Sequence, residues 1–143
     1  MEKKVFILYG AANKGKSTTF NMLFNQICRK FSENLVFFRR FGNGLDFVAV
    51  FDNGEKRIGL YSAGDGEEEV SRNLYELYEQ GCDFVLGTSR TRGGSCAAIN
   101  RYAMLLEGSE EIIEWYEKIE ASDADNERAG KELFSVFKTL IAQ

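Results

Sequence analysis

Gly10-Ala11-Ala12-Asn13-Lys14-Gly15-Lys16-Ser17 meets the pattern G-x-x-x-x-G-K-[ST] at every specified position. Val5-Phe6-Ile7-Leu8-Tyr9 before it is a continuous apolar run, as in a strand buried on both faces. Phe20, Leu23, Phe24, Ile27 and Phe31 after it recur at helical spacing. The stretch therefore joins a buried strand to an amphipathic helix. Glycine at its two fixed ends lets the main chain turn tightly and approach a ligand where a Cβ would collide. Amide N–H groups from Asn13 to Ser17 then converge on one cavity at the positive end of the helix dipole, with Thr18 next in line. Such a cavity suits a phosphate.

On these residues, from 4 to about 31, the chain resembles the P-loop NTPase superfamily. The resemblance implies a cofactor, ATP or another nucleoside triphosphate, bound with Mg²⁺. Gly10, Asn13, Lys14, Gly15, Lys16, Ser17 and Thr18 would form its binding set. Lys16 would reach the β- and γ-phosphates and the Ser17 hydroxyl would be a metal ligand. Lys14 lies either along the phosphates or in solvent. The fold implied is a three-layer α/β/α P-loop NTPase domain covering residues 1–143, mostly parallel in its sheet, with one antiparallel hairpin strand.

At 143 residues, 44% hydrophobic and 28% charged, the composition is that of one globular domain. A net charge of −4 argues against a general nucleic-acid binder. No apolar run approaches the length of a membrane span. Met1-Glu2-Lys3-Lys4 runs straight into the first strand without a signal peptide, so a cytoplasmic location is expected. The three cysteines, Cys28, Cys82 and Cys96, are scattered and form no C-x-x-C pair, which suits reduced thiols. With no histidine in the chain, histidine-based acid–base chemistry is excluded. With no proline either, glycines must make most sharp turns.

Asn34 to Arg40 reads as a second strand, parallel to the first across a helical crossover. A turn at 41–44 leads to a third strand, Asp46 to Phe51. Asp52-Asn53-Gly54 then turns the chain into Lys56 to Tyr61 as an antiparallel hairpin. Phe47 to Asp52 resembles the apolar strand ending in aspartate that P-loop proteins use near the metal. This direction of travel, however, leaves Asp52 at the far edge of the sheet, as a turn residue. Ser62-Ala63-Gly64-Asp65-Gly66 falls at the near edge, so Asp65 is the expected carboxylate for Mg²⁺, directly or through water. Glu67, Glu68 and Glu69 open a helix with Val70, Leu74, Leu77 and Tyr78 inward. Glu67, nearest the expected metal, is the candidate to orient an attacking water.

Asp83 to Gly87 is another buried strand, whose carboxyl end opens into Thr88-Ser89-Arg90-Thr91-Arg92-Gly93-Gly94-Ser95. In open α/β sheets ligands sit at such ends, and guanidinium forks bind phosphate oxygens in pairs, so Arg90 and Arg92 join the catalytic candidates. A helix with Ile99, Tyr102 and Leu106 inward ends at Gly108. Glu111 to Ile119 fits helical and strand templates alike; we read it as a strand because the architecture calls for a final parallel strand. Glu120 to Asn126 then occupies the place where many P-loop proteins pack the base. Glu127 to Ala142 is a terminal helix with Leu133, Val136, Phe137, Leu140 and Ile141 as its apolar stripe.

The motif implies that a nucleotide binds and leaves the fate of that nucleotide open. Tyr61 to Glu68 is somewhat similar to the switch region of small GTPases. Yet Tyr61 stands where those proteins carry the metal-linked aspartate, and no N-K-x-D appears after the later strand. The leading expectation is Mg²⁺-dependent ATP binding and hydrolysis, with Lys16, Asp65, Glu67, Arg90 and Arg92 as the catalytic set and Ser17 and Asp65 at the metal. Transfer to a small-molecule or nucleoside acceptor, and a non-catalytic nucleotide-gated module closed by a protein partner or a second copy of the chain, are the alternatives.

Overall fold

The computed structural model describes residues 2–42 and 44–142, without the side chain of Glu107. Met1, at the head of the expected leaderless start, and Asn43, within the turn expected at 41–44, lie outside the described residues. The elements run β1 (Lys4–Tyr9), α1 (Lys16–Phe31), β2 (Leu35–Phe41), β3 (Asp46–Asp52), β4 (Arg57–Tyr61), α2 (Glu67–Glu79), β5 (Phe84–Ser89), α3 (Gly94–Glu107), β6 (Ile113–Glu117) and α4 (Asp123–Ala142).

The strands form one sheet in the order β2-β3-β4-β5-β1-β6. β1 pairs in parallel with β5 on one side and β6 on the other, and β4 pairs in parallel with β5. β3 is antiparallel to both β2 and β4. It alone runs against the other five strands, as the hairpin pattern predicts, and β2 keeps the direction of β1 from the far edge of the sheet.

Side chains alternate between the faces of the sheet. Phe6 and Leu8 of β1 join Phe47, Phe51 and Leu86 beneath α1 and α4, where Phe20, Leu23, Ile27, Leu133 and Phe137 complete a largely aromatic core. Val5 and Ile7 join Val48, Val50 and Val85 on the other face, under α2 and α3. Each large side chain fully buried here is worth about 1.5–3 kcal/mol. Both faces need cover, because strands apolar on both sides are stable only between two helical layers.

The ambiguous segment 111–119 divides. Glu110–Ile112 is a short 3₁₀ turn, and Ile113–Glu117 is β6, in register with Val5–Tyr9 of β1. Pairing with β1 decides it for strand. Other expectations shift. β5 continues through Thr88 and Ser89 before its loop opens, and α4 starts at Asp123, a turn earlier than its apolar stripe. Tyr78 is not inward: it is 42% exposed and packs against the exposed Tyr75 one turn earlier on α2. No helix among the described residues is long and apolar enough to cross a membrane.

Two glycines separate packing from propensity. A Cβ on Gly87 would lie 2.0 Å from the Tyr61 ring, whereas one on Gly130, within α4, would meet nothing within 4 Å. Gly87→Ala is expected to lower stability by at least about 1–3 kcal/mol in urea unfolding. Gly130→Ala should leave it unchanged or raise it by about 0.5–1 kcal/mol.

Candidate functional site

The loop from Gly10 to Ser17 leaves β1 at the carboxyl ends of the parallel strands. Its entry is fixed on both sides: the Gly10 amide donates to Ser89 O at 3.1 Å, and the Lys118 amide donates to Tyr9 O at 2.8 Å. A Cβ on Gly10 would lie 3.0 Å from Lys118 O, so a side chain here would press on the end of β6. At its exit the loop turns through left-handed backbone at Asn13 (φ 64°) and Gly15 (φ 88°). Gly15 needs glycine twice over, because a side chain would also meet Asn126 Oδ1 at 2.7 Å. Thr19 closes the first turn of α1 through its amide and its hydroxyl, both donating to Gly15 O.

Lys16 folds back under the loop. Its ammonium donates to Gly10 O at 2.5 Å, to Ser89 O at 3.0 Å and to Asp65 Oδ1 at 3.2 Å. Only 6% of the residue is exposed. Burial lowers its pKa, with the Asp65 carboxylate opposing that shift and Arg90 adding to it. Asp65 also lies 3.6 Å from Arg90 Nε, so one carboxylate faces two cations.

Beside the loop lies an open cavity of about 570 Å³. Asn13, Gly15, Lys16, Ser17 and Thr18 form one wall, and Ser62 to Asp65, after β4, form another. Ala121, Ser122, Asp123 and Asn126, from the segment expected to border a base, complete it. The Ser17 hydroxyl points toward Ser62 O at 3.5 Å. Asp46 and Glu69, which the motif reading did not single out, bring two more carboxylates to the rim. Burial, followed by the charges of Glu69 and Asp65, raises the Asp46 pKa. Its signal in sequence was only its place at the head of β3, the one strand whose amino end reaches this edge.

The remaining candidates separate. Glu67 does not line the cavity: it pairs with Arg101 at 2.9 Å and packs against Gly94, so its neighbour Glu69, two residues on, takes the rim. Arg90 and Arg92 do not line this cavity; with Thr91 they border a second one over Ala11 and Ala12. Lys14 is half-buried and does not line the main cavity. Asp52 sits in its turn, accepting from the Gly54 amide at 2.6 Å and paired with Arg57. The described residues hold no group of three or more histidine, cysteine, aspartate or glutamate side chains arranged for a metal by themselves.

A buried ion network behind the cavity was not foreseen. The Lys118 side chain is fully buried, and its ammonium donates to Asp125 Oδ2 at 2.7 Å and to Glu120 O. Asp125 also accepts from the amides of Ile119 and Glu120 and from Arg128 Nε at 2.7 Å. These bonds hold its carboxyl far below the usual range, the Arg128 bond foremost. They tie the end of β6 to the first turn of α4, and so fix the wall that carries Ala121 to Asn126. Nothing in the spacing of Lys118 and Asp125 marks a partnership, because it depends on the turn between them.

Compared with models of known protein families, with curated proteins and with solved structures, the chain finds no match. The site therefore rests on its own geometry. Asp125→Asn is expected to cost about 3–5 kcal/mol, because it strands a buried ammonium. A carboxyl held low when folded stabilises the protein above the unfolded value of about 3.9, and that stability is lost as pH falls through the folded value. The deficit of the variant in urea unfolding should therefore be full at pH 7 and begin to shrink only below about pH 4.

Proposed function

We propose that this chain is a P-loop nucleotide-binding protein that takes a nucleoside triphosphate, ATP first, together with Mg²⁺, and hydrolyses its terminal phosphoanhydride. The observation that carries the reading is the loop itself. Main-chain donors around left-handed Asn13 and Gly15, with the buried Lys16 ammonium folded beneath the loop, border an open cavity at the carboxyl ends of parallel strands. ATP is preferred to GTP because the chain has no N-K-x-D. Free cysteines at 28, 82 and 96 suit the reducing cytoplasm.

The amides of the loop would hold the β- and γ-phosphates, with Lys16 spanning both and Ser122, Asp123 and Asn126 beside the base. The oxygen donors present, the Ser17 hydroxyl with Asp65 and Asp46, fit a hard cation that keeps waters and takes other ligands from phosphate. When bound, Mg²⁺ would supply charge neutralisation to the phosphates. Lys16 stabilises charge on the transferred group, and Arg90, within reach of Asp65, stands at the same end of the loop. Glu69 is better placed than Glu67 to orient water, because it lines the cavity. Transfer to a small acceptor is the second reading, favoured by the arginine-bordered cavity over Ala11 and Ala12.

A thermal-shift panel of ATP, GTP, CTP, UTP and diphosphates, with and without Mg²⁺, tests the reading. At a ligand concentration of about 100 times Kd, binding should add about 2.7 kcal/mol to stability, with ATP and Mg²⁺ shifting Tm most. Lys16→Ala should abolish both the shift and phosphate release. Binding without turnover would favour the non-catalytic module, and no shift with any nucleotide would end the reading. For the metal, Asp65→Asn should remove the Mg²⁺ dependence and Asp52→Asn should leave it intact.

A further inference from the structure

The flank of the loop beside Ala11 and Ala12 carries aromatic surface that the hydrolytic reading leaves unused, next to Arg90 and Arg92. Trp115 is 41% exposed although it lies in a strand. It pairs in register with Ile7 of β1, and the Tyr9 ring braces it edge-on at 5.9 Å and 80°. Both rings lie on the α2–α3 side of the sheet. α3 covers Ile113 there and leaves Trp115 open, because β6 is the edge strand.

Next to this platform, Tyr9, Thr91, Cys96 and Trp115 line a hollow of about 410 Å³. Thr91 is shared with the neighbouring cavity of about 470 Å³, bordered by Arg90, Arg92, Ala11 and Ala12. Arg92 is exposed and has no ion pair or side-chain hydrogen bond among the described residues. Arg90 is only loosely engaged, 3.6 Å from Asp65. On a chain of net charge −4, two such arginines beside a glycine-rich loop make a local concentration of positive charge. No side chain caps the first turn of α3 beside them, which leaves its amides as further donors.

We propose that this flank binds a nucleoside monophosphate, its base stacked on Trp115 and its phosphate held by Arg90 and Arg92, and that this ligand is the phosphoryl acceptor. An indole face suits any nucleobase, and paired guanidinium groups suit a phosphate dianion. The combined hollows fall in the size range of small-ligand sites, about 300–1,000 Å³. The phosphate end lies over Ala11 and Ala12, within the same loop that would hold the donor triphosphate. A phosphate oxygen of the acceptor forms the new bond to the γ-phosphorus. The bond from that phosphorus to the bridging oxygen breaks, and its electron pair leaves with the nucleoside diphosphate. An ionised acceptor oxygen carries no proton, so no base is required.

The transfer step rests on the proposed triphosphate site, whereas acceptor binding does not, and this separates the two failures. Trp115 is the only tryptophan, so its fluorescence reports base stacking directly. The whole chain is titrated with AMP, GMP, CMP and UMP without triphosphate, and with adenosine, inorganic phosphate and a single-stranded oligonucleotide as comparisons. Saturable quenching by at least one monophosphate is expected, at least tenfold weaker for adenosine and for the Arg90→Gln/Arg92→Gln variant, whose thermal melt shows that it folds. With ATP and Mg²⁺ present, the preferred monophosphate should raise nucleotide turnover at least tenfold and appear as its diphosphate. Absence of quenching, equal quenching by the arginine variant, or tenfold tighter binding of the oligonucleotide overturns the site. Quenching without diphosphate formation in a chain that hydrolyses ATP overturns the acceptor role.

Discussion

One buried ammonium, that of Lys16, organises the cavity edge of this molecule. Lys16 Nζ takes Gly10 O from the loop's entry, Ser89 O from the end of β5 and Asp65 Oδ1 from the segment after β4. A charge buried to this degree is costly unless it is hydrogen-bonded and paired, so these three segments must arrive together. The loop conformation and the position of Asp65 are therefore one structural fact.

The sheet order explains how they meet. β5 lies between β1 and β4, so Ser89 O can serve both the Gly10 amide and Lys16. The ends of β4 and β5 are clamped by Tyr61 Oη donating to Thr88 O at 2.9 Å and Thr88 Oγ1 donating to Ser62 O at 2.9 Å. Gly64 lies so close that a Cβ would be 2.2 Å from Thr88 Oγ1. Residues 62–64 are thus held hard against β5, while Asp65, the next residue, is exposed. On the far side, the buried Lys118–Asp125 pair sets the opposing wall.

Much of this was legible in the sequence because it is local. The apolar run of β1, the glycine spacing and the stripe of α1 each follow from periodicity and backbone sterics, and the direction of β3 follows from one tight turn. That direction also separates Asp65, at the cavity, from Asp52, at the far edge. What stayed hidden depends on contacts distant in sequence. Tyr78 satisfies the helical template for burial, yet only the packing of α3 on α2 decides which positions it covers. Glu67 and Glu69 look alike in composition, and Arg101 and Gly94, from another helix, divide their roles. The segment 111–119 has no unique period, and β1 had to supply the answer.

The electrostatics of the edge bear on how it would respond to an anion. Asp65 faces Lys16 and Arg90 at once, and its exposure means solvent screens both pairings. The ammonium itself is buried, so a phosphate reaching it through the loop amides would gain what an exposed carboxylate cannot: several donors in a water-poor setting. Displacing Asp65 from that contact would cost little on the same grounds. The carboxylate released would remain on the cavity wall near Asp46, whose pKa is already raised by burial and then by the charges of Glu69 and Asp65. Under the proposed reading, a divalent cation entering with the phosphates would relieve that repulsion, and anion and cation would favour each other's binding at this edge. Neither the loop nor the acidic rim would produce that coupling alone; it would arise from Asp65 serving both.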